Sequence, residues 1–97
     1  MDINPAKQPI RIEYEGQEYI VKYRHDQTPD VIEGKYTELP INGKTEAFLG
    51  SYDEPVGDII AVAYCSVHDS FSKKTGRIVS TVRLIKKLER KNNNIYE

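Results

Sequence analysis

The sequence predicts an α+β fold: a small antiparallel sheet of about four strands, opened by an N-terminal hairpin, with one C-terminal amphipathic helix packed on a face. Three observations predict it. Apolar and polar residues alternate across residues 10–24, an almost unbroken apolar run fills 58–68, and apolar residues recur at helical spacing through the last third of the chain. Ninety-seven residues suit one domain. Leu, Ile, Val and Phe make up about a quarter of them, enough for a small folded core.

Each element has its own signal. Residues 1–9 hold two prolines and little apolar content, and read as a loose terminus before a single domain over 10–91. Ile10, Ile12 and Tyr14 alternate with charged residues, as do Tyr19, Val21 and Tyr23 after them. Glu15-Gly16-Gln17 between them supplies a turn, giving a β-hairpin with a tyrosine-rich face. Residues 25–57 are punctuated by Pro29, Gly34, Pro40, Gly43, Gly50, Pro55 and Gly57, so nothing long is expected there. Asn42-Gly43 is a tight-turn signal, with short strands expected at Tyr36–Leu39 and Thr45–Leu49. The run 58–68 reads as a central strand covered on both faces. Its Ile59, Ala61, Ala63, Cys65 and Val67 face is small enough for a helix to lie close, which would bury Cys65. That helix is expected from about Ser70 to Lys91, capped by Asp69 or Ser70. Phe71, Ile78, Thr81, Val82, Ile85 and Leu88 share one arc of it, with Leu84 at the edge. Residues 92–97 form a short tail.

The net charge of −1 hides an asymmetry. Residues 1–70 hold 6 Lys+Arg against 13 Asp+Glu, and residues 71–97 hold 8 against 2. Such a split suggests an anionic partner, or two halves that neutralise each other. One cysteine excludes a disulfide framework and a multi-cysteine zinc site. No charged-then-apolar leader opens the chain, and no apolar run approaches the ~18 residues of a span. A cytoplasmic location with no membrane partner is the expectation.

The most informative segment is His68 to Arg77. A helix start favours acidic residues, yet Lys73, Lys74 and Arg77 follow the cap. With Asp69, Ser70 and the free N–H groups they would form an anion site for a nucleotide or nucleic-acid phosphate, with Gly76 allowing close approach. The plainer reading has Gly76 packed on the strand and the lysines in solvent. His25-Asp26 and His68-Asp69 have metal-ligating residue types, but each pair lies where a strand gives way to a loop, and no metal or cofactor is expected. Cys65, Ser66 and His68 are hydrolase residue types without an oriented base and third group, so no catalytic residue is assigned and the chain reads as non-enzymatic. Gly43-Lys44-Thr45 lacks the glycine that a phosphate loop requires five positions earlier. Tyr14, Tyr19 and Tyr23 could stack bases, but Glu13, Glu15 and Glu18 beside them would repel phosphates, so core and interface roles are favoured.

The segment Cys65-Ser66-Val67-His68-Asp69-Ser70-Phe71-Ser72-Lys73-Lys74-Thr75-Gly76-Arg77 resembles a pattern of small phage and prophage proteins, in which Cys-Ser-x-x-Asp-x-Phe-x-x-Lys-x-Gly-Arg follows an apolar strand and precedes an amphipathic helix. Cys65, Ser66, Asp69, Phe71, Lys74, Gly76 and Arg77 match, over about residues 58–85. The helix departs from the pattern at Ser80, Thr81 and Val82, where small residues and a second arginine are frequent. The resemblance implies a phage origin and no mechanism. By analogy, the expected function is a phage-type accessory protein, with an anti-defence role in view, that binds a host protein stoichiometrically. The alternative is an anion-binding module at the helix start. A lone helix leaves sheet surface open, so a homo-oligomer is expected as well.

Overall fold

A computed structural model of the chain describes residues 3–33 and 38–92. The fold is α+β, with six strands and one C-terminal helix among the described residues. β1 (Arg11–Tyr14) and β2 (Gln17–Ile20) form the expected hairpin. Glu15 and Gly16 both take positive φ, 51° and 79°, as a two-residue type I′ turn demands. The hairpin stops at Ile20. Val21 donates its N–H to the Ile10 carbonyl at 2.9 Å, and the chain then passes into the main sheet as β3 (Lys22–Asp26), leaving Tyr23 outside the hairpin.

The stretch expected to hold nothing long contains the longest strand, β5 (Glu38–Gly50). Asn42-Gly43 is not a hairpin turn. The strand runs through it with a register shift against β6 (Pro55–Ser66) between Ile41 and Lys44. Gly43 absorbs the irregularity at φ 131°, which only glycine takes readily. Turn signals describe local permission; here cross-strand pairing on both edges of β5 overrides them. One edge pairs with β3 and then with β4 (Asp30–Glu33), and the other with β6. β3 and β4 are successive lengths of one edge, broken at Gln27-Thr28-Pro29, where the Asp26 carboxylate accepts the Thr28 N–H at 2.9 Å. The central strand is therefore β5. The apolar run expected to be central is β6, which among the described residues pairs with β5 alone.

Helix α1 (Lys73–Asn92) crosses one face of the sheet, over Tyr23 and His25, over Thr45, Ala47 and Leu49, and over Ala61 and Ala63. It starts three residues later than expected. Ser72 is the cap: its Oγ accepts the Thr75 N–H at 3.2 Å and its carbonyl accepts that of Gly76 at 2.9 Å. The buried stripe is also rotated from the expected arc. Val82 is exposed, and Ser80, Thr81, Leu84 and Leu88 are buried. The row Gly76-Ser80-Leu84-Leu88 explains the rotation. Its small members meet Thr45 and the alanines where helix and sheet approach closely. Its leucines join Ile10, Ile12, Tyr14, Val21 and Leu49, where the β1–β2 hairpin fills the widening space. A ranking by apolarity overlooks glycine and serine, which here bury because they are small.

Candidate functional site

The segment singled out in the sequence builds a cavity of about 430 Å³ between the end of β6, the loop 69–72 and the first turns of α1. Thr45 lines it from the sheet, Cys65, Ser66, Asp69 and Ser70 from the strand end and loop, and Thr75 from the helix. Two residues hold the loop in place. Asn42 donates its side-chain amide to the Asp69 carbonyl at 3.3 Å, and the Phe71 ring lies over Gly43, where an added Cβ would stand 2.7 Å from the ring and from the Asp26 carbonyl. Cys65, expected to be buried, is half-buried, its Sγ 3.5 and 3.6 Å from the carbonyls of Ser66 and Asp69.

The structure divides the anion set. Asp69 and Ser70 line the cavity; Lys73, Lys74 and Arg77 do not. At 100° per residue Thr75, Gly76 and Val79 turn toward the cavity, while Lys73 and Arg77 lie on the side of His25. His25 is held between elements. Its Nδ1 pairs with the Thr45 Oγ at 2.8 Å, its ring stacks beside Tyr23 and meets Phe71 edge-on, and burial, with the charges of Lys73 and Arg77, pushes its pKa below the ordinary value. His68 and Asp69 are exposed on the far loop, and among the described residues no three His, Cys, Asp or Glu side chains gather. Gly76 follows the plainer of the two sequence readings. A Cβ there would lie 2.8 Å from the Thr45 Cβ and nearer still to its hydroxyl, so helix–sheet contact accounts for the glycine.

The tyrosines also separate. Tyr14, expected at an interface, is only 2 % exposed and belongs to the core. Its hydroxyl has no hydrogen-bond partner among the described residues, and burial together with the Glu15 carboxylate pushes the phenol pKa up. The pleat sends its side chain inward with Ile10 and Ile12. Tyr23 is half-buried, its hydroxyl 2.6 Å from the Thr81 Oγ and accepting from the Gln8 amide at 3.1 Å. Tyr19 is half-buried beside Gln17.

Sequence reasoning missed a second surface. Along the outer edge of β6, Arg83 donates to the Val62 carbonyl at 2.7 Å, Lys87 to that of Ile60 at 2.9 Å, and Lys91 to that of Gly57 at 2.6 Å. The signal is present in the sequence as basic residues at i, i+4 and i+8, Arg83, Lys87 and Lys91. Beside the row runs a groove of about 360 Å³ lined by Val62, Tyr64, Arg83, Lys86, Lys87 and Arg90, with Tyr64 47 % exposed. The charged halves do not neutralise each other inside the fold: among the described residues the one ion pair is Arg11 with Glu18, at 3.9 Å across the β1–β2 hairpin. Compared with protein-family models, curated proteins and solved structures, the chain matches none.

Proposed function

We propose that this chain is a non-enzymatic, phage-type accessory protein that acts in the bacterial cytoplasm by stoichiometric binding to a host protein. The phage origin and the anti-defence role rest on the resemblance of residues 65–77. The binding mode rests on the outer edge of β6, a strand edge flanked by Val62 and Tyr64 and by cations that have no carboxylate partner among the described residues. Sheet edges of this kind invite added strands. Native mass spectrometry of the chain purified from a bacterial host tests the reading. A complex with one defined polypeptide at fixed stoichiometry is expected; the chain alone, or the chain with only a small anion, overturns it.

A second reading has one observation in its favour. The cavity at the helix start is lined by Ser66, Ser70, Ser72 and Thr75 beside Asp69, and no acidic residue occupies the first turn of α1. On this reading a nucleotide or nucleic-acid phosphate sits against the N–H groups of Lys73 and Lys74, which the Ser72 cap does not take. Titration with inorganic phosphate and with nucleotides, followed by the amide signals of Lys73, Lys74 and Thr75, tests it; unmoved signals reject it. Self-association into a homo-oligomer is also proposed. It would use the open sheet face rather than the β6 edge, where two copies would set cation against cation. Sedimentation at rising concentration checks this, and a monomer throughout rejects it.

A further inference from the structure

The three caps on β6 form a matched pair of ladders. Alternate backbone groups of an antiparallel strand point to the same side, so the carbonyls of Ile60 and Val62 recur every two residues, about 6.8 Å apart. Four residues of helix rise about 6 Å. The near-equality lets Arg83 and Lys87 each meet one carbonyl, with helix and strand running in opposite directions. Lys91 would fall out of step. It reaches Gly57 because the strand is distorted there, with Gly57 at φ 68° and Asp58 at φ 56°. The same alternation turns the N–H groups of Ile60 and Val62 outward. The edge is therefore a strand template whose acceptors are held by cations, and those cations have no carboxylate partner among the described residues.

We propose that the outer edge of β6 is the docking site for an extended acidic segment of a partner protein, added as a further strand. The inference rests on the reading of the chain as a protein-binding module and names the partner's chemistry. The incoming strand's N–H groups take the carbonyls of Ile60 and Val62. Arg83 and Lys87 swing out to its carboxylates, which stand on alternate residues at nearly the same pitch. Lys86 and Arg90 add charge along the groove, and Val62 and Tyr64 give its apolar side chains a surface. A neutral or basic strand displaces the cations without replacing their partners, so the caps disfavour it. A second β6 is excluded by its own cations. A nucleic-acid phosphate backbone brings acceptors but no row of N–H donors to the freed carbonyls.

The test uses three eight-residue peptides alternating valine with glutamate, glutamine or lysine, titrated into the full chain and followed by amide NMR. The glutamate peptide is expected to shift the amides of Ile60, Val62 and Tyr64 and slow their hydrogen exchange. It should bind at least tenfold more tightly than the glutamine peptide, an advantage that shrinks as salt rises. The double variant Arg83→Gln/Lys87→Gln changes only two exposed side chains, so it retains the fold, and it should lose that tenfold preference. Equal binding of all three peptides, shifts confined to other surfaces, or an oligonucleotide that moves these amides when the acidic peptide does not would overturn the proposal. A host-protein complex that survives the double variant unchanged would sink this site while leaving the module reading intact.

Discussion

Gly76→Ala sets two well-known effects against each other, and the structure decides between them. In an exposed helix interior the change stabilises by up to about 1 kcal/mol, since alanine is the better helix former. Here the new methyl would stand 2.8 Å from the Thr45 Cβ, closer than Cβ atoms approach one another. The Thr45 hydroxyl can rotate away, but its Cβ is fixed by the β5 backbone, paired on both edges with His25 and Ala63. The helix must retreat by roughly 1 Å. A gap of 0.5–1 Å already forfeits a quarter to a half of each dispersion contact along it, and overpacking costs about 1–3 kcal/mol. Turning the hydroxyl also breaks its pairing with His25, worth about 1 kcal/mol for a buried hydrogen bond. With the propensity gain deducted, the net loss is about 1–3 kcal/mol, or a fall in Tm of roughly 5–20 °C for a domain of this size. Urea and thermal unfolding followed by circular dichroism measure it. A variant as stable as the parent, or more so, would refute the close helix–sheet contact and return Gly76 to a ligand-binding explanation.

Three further outcomes follow from the same contacts. The depressed His25 pKa means that the unfolded chain binds a proton before the folded one does, so stability is complete above about pH 6.5, falls as pH drops below it, and levels off beneath the folded-state value; His25→Phe should flatten that part of a urea-midpoint series across pH 4–8, and an unchanged slope would mean the titration lies elsewhere. Tyr14→Phe removes a buried hydroxyl that has no partner among the described residues, so stability should hold or rise by up to about 1 kcal/mol in chemical denaturation, whereas a loss above about 1 kcal/mol would reveal a hydrogen bond made in solution. Gly43→Ala meets both a positive φ and the Phe71 ring, and should lower stability by about 2 kcal/mol or more while disturbing the Phe71 and Asp69 signals in NMR spectra; a neutral effect would argue against the bulge.

What could be read in the sequence was what local rules control. The hairpin through Glu15-Gly16 and the helix after the alanine-rich strand were legible because turn chemistry and periodicity act over a few residues. The length of β5 was not, because Pro40 and Asn42-Gly43 are punctuation by local rules and become strand only when β3, β4 and β6 supply hydrogen-bond partners from elsewhere. At the helix start the residues that drew attention were sorted by packing: Gly76 and Phe71 hold α1 and its loop to the sheet, Asp69 and Ser70 line the cavity, and Lys73 and Arg77 turn toward His25. The cation row on β6 was hidden for another reason. A lysine that serves a backbone carbonyl looks the same in sequence as one that serves the solvent, and only the pairing order of the strands shows which edge is left open.

The placement of β5 also has a kinetic consequence. Three of its neighbours in the sheet are strands close to it along the chain: β4 just before, β6 just after across Ser51–Glu54, and β3 only a little further back. Loop closure for such pairings is inexpensive in entropy, so the sheet can zip outward from the β5–β6 turn without waiting for distant segments. Its cover is made last. Until residues 73–92 have been synthesised, Thr45, Ala47, Ala61 and Ala63 face water, and the nascent sheet has registry without a core. The arrival of α1 supplies that core, as Leu84 and Leu88 close over Ile10, Ile12, Val21 and Leu49.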